Sequence, residues 1–212
     1  VVTTRPAWFP DWQDQAVAII ASGPTAKKAP IALLRDRLRV IAIKENVELC
    51  PFADVVYGCD APYWRAKLGL QAFQGLKVAY AQALRGRFPD IQLIDIDKKN
   101  DRILTGTPGL LGSGGNSGFQ AINLAVQFGC RRILLIGFDM HDRGGVHWYG
   151  RAYGQGRSNP GEHNFRRWRL AFEAAAADLR ALDVEVVNAS PASDLACFPK
   201  MTVERTLEEW RL

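Results

Sequence analysis

No apolar run in this chain approaches the ~20 residues that cross a bilayer, so a membrane span is not expected. Cysteine is scarce and scattered: Cys50, Cys59, Cys130 and Cys197 form no C-x-x-C pair. They read as reduced, mostly buried thiols of a cytoplasmic protein rather than a disulfide framework. The text VVTTRPAWFPDWQ at the start is polar and aromatic, unlike a signal peptide. There is no G-K-[ST], which excludes a Walker loop, and no G-x-G-x-x-G or H-E-x-x-H. Repeats, linkers and low-complexity tracts are also missing, so residues 1–212 read as one domain.

What is present is ordinary globular composition, 48% hydrophobic and 23% charged, which argues against disorder. The net charge of +5 suits nucleotides and other anions. It is compatible with nucleic acid, though that partner is not favoured. The basic residues crowd after Asp139: Arg143, Arg151, Arg157, Arg166, Arg167 and Arg169. A solvated helix face accounts for Arg166 to Arg169. The arginines at 143, 151 and 157 stand in glycine-rich text, where they could face a phosphate or an acceptor.

The organising stretch is GSGGNSGFQAINLAVQFGCRRILLIGFD, residues 112–139. Gly112, Gly114 and Gly115 lead to Asn116 and Ser117, which stand where a helix N-cap belongs, and Gly118 follows them. Ala121, Leu124, Ala125 and Phe128 recur at helical spacing, Gly129 stops the helix, and Ile133 to Ile136 reads as a buried strand. A glycine-lined helix start offers free N–H groups and a positive dipole end to an anion. A tight turn alone would also explain the glycines.

Further strands are expected at 16–20, 39–43, 55–58, 76–80, 91–94 and 184–188, with helical or loop segments between them. This pattern predicts an α/β fold: a single Rossmann-like domain, mostly parallel sheet, helices on both faces. Residues 1–15 form an N-terminal arm anchored by Trp8, Phe9 and Trp12. Residues 95–109 are polar and turn-rich, with Asp95 and Asp97 as solvated turn residues. Residues 140–161 hold six glycines, three arginines, two histidines and two tyrosines without a period. They read as a long lid loop with little to bury. A long helix is expected at 162–182, and a closing helix capped by Thr202.

Certain stretches together resemble a known group. They are Ser22-Gly23-Pro24-Thr25 after the first strand, Asp54 to Asp60, Asn116-Ser117-Gly118 before a helix, Gly137-Phe138-Asp139, Val187 to Ser190, and Phe198-Pro199. This text is similar to the Rossmann-like family of bacterial lipooligosaccharide sialyltransferases and MptE-like hydroxymethylpterin diphosphokinases, which includes uncharacterised prophage proteins. The resemblance implies a nucleotide site at Ser22, Gly23, Pro24, Thr25, Lys44, Asn116, Ser117 and Gly118. Asp60 and Asp139, both at the C-terminal ends of expected strands, are the acidic residues best placed to hold ribose hydroxyls or Mg²⁺. Ser22 stands where the sialyltransferases have Asn, and Lys44 where their second strand ends in Asn. Asn159-Pro160-Gly161-Glu162-His163 resembles the segment holding their catalytic His. Tyr149 and Tyr153 are candidates for the tyrosines around the leaving phosphate, with Arg143 and Arg151 beside them.

All three histidines, His141, His147 and His163, fall within one region. Histidine is the natural general base at neutral pH. The reading that follows is a nucleotide-dependent transferase, glycosyltransferase-like, using a nucleotide-sugar donor (CMP-linked in the sialyltransferases) and a His base. His163 is the first candidate. No metal is required on this reading. A cation held by Asp139, His141, Asp142 and His147 is a minority reading. The alternatives are an ATP- and Mg²⁺-dependent diphosphokinase with Asp60 or Asp139 at the metal, or a non-enzymatic phage-encoded protein binding nucleotide or nucleic acid. The sequence does not give the acceptor or the oligomeric state. It does make a geometric demand: the 22–25 turn and the 116–118 helix start must share one cleft.

Overall fold

The computed structural model describes residues 4–80, 82–151 and 159–212. Its strands are β1 (Ala16–Ile20), β2 (Arg39–Ile43), β3 (Val55–Gly58), β4 (Leu76–Ala79), β5 (Ile91–Leu93), β6 (Asp95–Asp97), β7 (Leu110–Gly112), β8 (Arg132–Ile136) and β9 (Glu185–Asn188). Seven of them form one sheet in the order β5-β4-β3-β2-β1-β8-β9. Every neighbouring pair is parallel; Ala18, for example, lies beside Val40 on one side and Leu134 on the other.

Parallel strands need crossovers, and the crossovers cover both faces. That is why β1 is apolar at every position, and β2 and β8 at every position after their first residues, Arg39 and Arg132. Val17, Ile19, Ile133 and Leu135 face one core. Ala18, Ile20, Leu134 and Ile136 face the other. The first core is closed by α2 (Ser117–Phe128) and α3 (Glu162–Ala181). The second is closed by α1 (Ala61–Ala66) and α4 (Val203–Glu209). Two short 3₁₀ turns, Pro24–Lys28 and Ile31–Leu34, cover the same face.

Residues 95–112 differ from expectation. Asp95 and Asp97 are not turn residues but belong to β6, which pairs in parallel with β7 as a separate two-stranded ladder. Two polar side chains of α2 hold this segment. Asn123 accepts from the N–H of Leu104 (3.0 Å) and of Gly112 (2.9 Å) and donates to the Leu104 carbonyl. Gln127 accepts from the Gly109 N–H and donates to the Leu110 carbonyl, each at 2.8 Å. Thus α2 is buried nearly all round, between the main sheet and the small ladder.

The arm packs as expected. Phe9 and Trp12 both meet Phe128 edge-on, with ring centroids 5.1 and 5.0 Å away. α2 starts at the Asn116 cap and ends at Gly129, whose φ of 106° needs glycine. Among the described residues, no helix is long and apolar enough to cross a membrane.

Candidate functional site

From β1 the chain steps outward to β2, β3, β4 and β5, then returns to place β8 on the other side of β1. The order reverses between β1 and β8, and open α/β sheets bind ligands beyond the strand ends at such a point. A cleft of about 490 Å³ lies there. Ser22 and Gly23 line it, and so do Asn116, Ser117 and Gly118. The two turns therefore share one cleft, as the sequence reading demanded.

Gly23 is there because nothing larger fits. A Cβ on it would lie 2.1 Å from Asp139 Oδ2 and 2.6 Å from the Gly137 carbonyl oxygen. Asp139 is 2% exposed, and its carboxylate accepts from both the N–H and the hydroxyl of Thr25, at 3.0 and 2.5 Å. Both Asp139 oxygens tie the β1 turn to the end of β8, and the residue also lines the cleft. Pro24 and Thr25 stand behind the cleft, since neither lines it.

The helix start is built the same way. Asn116 Oδ1 accepts from the Phe119 N–H at 2.9 Å, and its Nδ2 donates to the Gly114 carbonyl at 3.0 Å. The Asn116 amide is thus the N-cap of α2, and the residue also lines the cleft. It leaves the N–H groups of Ser117 and Gly118, the first two of the helix, without intrahelical acceptors. A Cβ on Gly118 would lie 2.7 Å from the Phe138 ring. Glycine therefore lets the helix start close on the loop after β8.

Across the cleft, Lys44 and Asp60 form an ion pair and both line the wall. Lys44 has φ 54° and Met140 φ 58°, left-handed values for non-glycine residues at the ends of β2 and β8. Such backbone costs roughly 1–2 kcal/mol and concentrates at functional sites.

The first part of the lid is packed down, contrary to the expectation that it has little to bury. Met140, His141 and Val146 are buried. The Trp148 N–H donates to the Ser22 carbonyl at 2.9 Å, and its Nε1 donates to Asn46 Oδ1 at 2.8 Å. His147 Nδ1 lies 2.8 Å from Ser22 Oγ, and its ring stacks on Tyr149. Burial and then the Lys44 charge push the His147 pKa down to about 4, so the ring is neutral at pH 7. Burial pushes the Tyr149 phenol up to about 12. His141 Nε2 is 2.9 Å from the Ala192 carbonyl oxygen, while its buried Nδ1 has no partner among the described residues. His141, His147 and Tyr149 all line the cleft.

His163 does not. It lies in the first turn of α3, exposed, and is not among the residues lining the cleft. The buried stripe of α3 runs through Phe165, Phe172, Ala176 and Leu179, and residue 163 falls on the opposite side of the helix. Arg143 also departs from expectation: its guanidinium grips Asp194 with two bonds of 2.9 and 2.6 Å, which holds that carboxyl below its usual range. Arg151 is exposed and away from the cleft lining. Tyr153 and Arg157 lie outside the described residues.

The cleft also uses residues that sequence reasoning missed as site residues: Glu45, Tyr63, Gln120, Phe165 and Trp168. Trp168, on α3, donates through Nε1 to the Gly115 carbonyl at 2.9 Å. Gln120 accepts from the buried Tyr57 hydroxyl at 2.8 Å. Among the described residues, no three His, Cys, Asp or Glu side chains converge as a metal site. The minority cation set is dispersed: Asp139 is on Thr25, His141 on Ala192 and His147 on Ser22.

The fold is that of bacterial sialyltransferases. The sialyltransferase CstII from Campylobacter jejuni, solved with the substrate analogue cytidine-5'-monophosphate, matches with a TM-score of 0.57 and 14% identity. The match covers 90% of this chain and 86% of that one. CST-II with a trisaccharide acceptor and CMP matches at 0.56 and 12%, over 89% and 86% of the two chains. At such identity the likeness is one of fold. No protein-family profile and no curated protein matches the chain.

Proposed function

We propose that this chain is a nucleotide-dependent transferase of glycosyltransferase type that takes a CMP-linked sugar donor in the cleft. One observation carries the reading: the Ser22–Gly23 turn and the Ser117–Gly118 helix start line the same cleft, at the reversal point of the sheet. The donor's phosphate meets the free N–H groups and positive dipole end of α2. Lys44 and Asp60 serve the nucleoside on the far wall. The fold shared with CMP-binding structures supports the nucleotide class.

Of the three histidines, His141 suits the base. The Ala192 carbonyl can only accept, so in the neutral imidazole Nε2 carries the proton and Nδ1 keeps its lone pair. Nδ1 takes the proton of the acceptor hydroxyl as that oxygen bonds to the anomeric carbon. The bond from that carbon to the phosphate oxygen breaks, and its electron pair leaves with CMP. The helix N–H groups stabilise the departing charge without a metal. The ATP and Mg²⁺ reading is less well supported, because Asp60 is paired with Lys44 and Asp139 with Thr25.

The test is single-turnover transfer from CMP-sialic acid to a lactose-type acceptor by wild type and by H141Q, H147Q and H163Q. His141→Gln should keep CMP affinity and lose roughly 10²-fold or more in rate. Should H141Q keep full rate and H163Q lose it, the base is His163. A wild type whose melting point shifts only with ATP and Mg²⁺ would overturn the transferase reading.

A further inference from the structure

The helix α1 brings two aromatic residues to the end of β3, and they are treated differently. Trp64 Nε1 donates to the Gly58 carbonyl at 2.8 Å and is satisfied. Tyr63, its neighbour in a T-shaped contact at 5.1 Å, is 2% exposed, and its hydroxyl has no hydrogen-bond partner among the described residues. The ring is deliberately accommodated. A Cβ on Gly58 would lie 2.9 Å from Tyr63 Cδ1, so glycine at the end of β3 makes room for it. Tyr63 lines the cleft, beside Lys44, Asp60 and Tyr149. Burial keeps its phenol protonated, so it is a standing donor.

A buried O–H without an acceptor is a destabilising group that phenylalanine would avoid at the same volume. The residues on this wall belong to the ends of β2 and β3, opposite the α2 start that suits a phosphate. We propose that Tyr63 is a specificity-determining residue whose hydroxyl donates to an acceptor oxygen of the donor's nucleoside, a pyrimidine carbonyl or the ribose 2′-oxygen. This rests on the nucleotide reading above. It adds a residue that neither the family resemblance nor the sequence pattern pointed to.

The experiment is calorimetric titration of wild type and Tyr63→Phe with CMP and with 2′-deoxy-CMP, plus thermal melts of both free proteins. The ligand-free variant should melt at or above the wild-type temperature. Its affinity for CMP should fall about 5- to 100-fold, the effect of one buried donor. An equal loss with both nucleotides assigns the contact to the base carbonyl; a loss confined to CMP assigns it to the ribose. Unchanged CMP affinity in Tyr63→Phe overturns the inference alone. So does a ligand-free melting point several degrees lower, which would mean the hydroxyl holds the fold. A wild type that binds neither nucleotide overturns the nucleotide reading and this inference with it.

Discussion

Replacing Gly23 by alanine adds one methyl group where the turn after β1 meets the end of β8. That methyl would lie 2.1 Å from Asp139 Oδ2 and 2.6 Å from the Gly137 carbonyl oxygen. Backbone cannot swing aside, so the Asp139 carboxylate must. It then gives up its bonds to the Thr25 N–H and hydroxyl. Overpacking of this kind costs about 1–3 kcal/mol. Each hydrogen bond to a charged group contributes about 1.5–3 kcal/mol, and the terms overlap because one movement causes both. A total near 4 kcal/mol, at about 2–4 °C per kcal/mol for a chain of this size, lowers the melting point by roughly 10 °C. Gly106→Ala is the control, since no described residue lies within 4 Å of its Cβ position. Thermal unfolding followed by circular dichroism reads both. A Gly23→Ala protein melting within about 2 °C of wild type would refute the argument that close approach dictates this glycine.

Gly118→Ala puts a methyl 2.7 Å from the Phe138 ring and 2.9 Å from the capping Asn116 oxygen. It should weaken CMP binding at least tenfold by calorimetry, while a substitution at exposed Leu170 should not. His147 sets a pH dependence. Its folded pKa of about 4 lies below the unfolded value of 6.5. Between these values the unfolded chain binds the proton and the folded one does not, so stability falls as pH drops from about 6.5 to about 4. The melting-point difference between wild type and His147→Gln should therefore change through that window and stay constant above pH 6.5. A difference that is flat from pH 4 to 8 would contradict the burial assigned to this ring.

The sheet was legible because buried parallel strands announce themselves as short apolar runs, and the α2 boundaries because Asn116 and Gly129 carry distinct backbone chemistry. The β6–β7 ladder was not, since three residues of Asp-Ile-Asp text have no period to read and their pairing partner lies across a polar loop. Site residues were legible as a neighbourhood, not as roles. Nothing local marks Asp139 as the partner of Thr25 or Arg143 as the partner of Asp194, because both pairs close across long stretches of chain. Tyr63 was hidden for a related reason. Its significance is a missing partner, and only a folded chain shows which hydroxyl has none.

The arm holds one end of α2 and the cleft lies at the other. Twelve residues at 1.5 Å each make that helix about 18 Å long. Any tilt at one end is a displacement at the other. A tilt of one degree about the Phe128 end, where Phe9 and Trp12 press, carries the Ser117 end through about 0.3 Å. Hydrogen bonds to a phosphate tolerate only a few tenths of an ångström before they weaken. Loss of an aromatic ring from the arm, far from any ligand, would thus surface as a defect in nucleotide affinity.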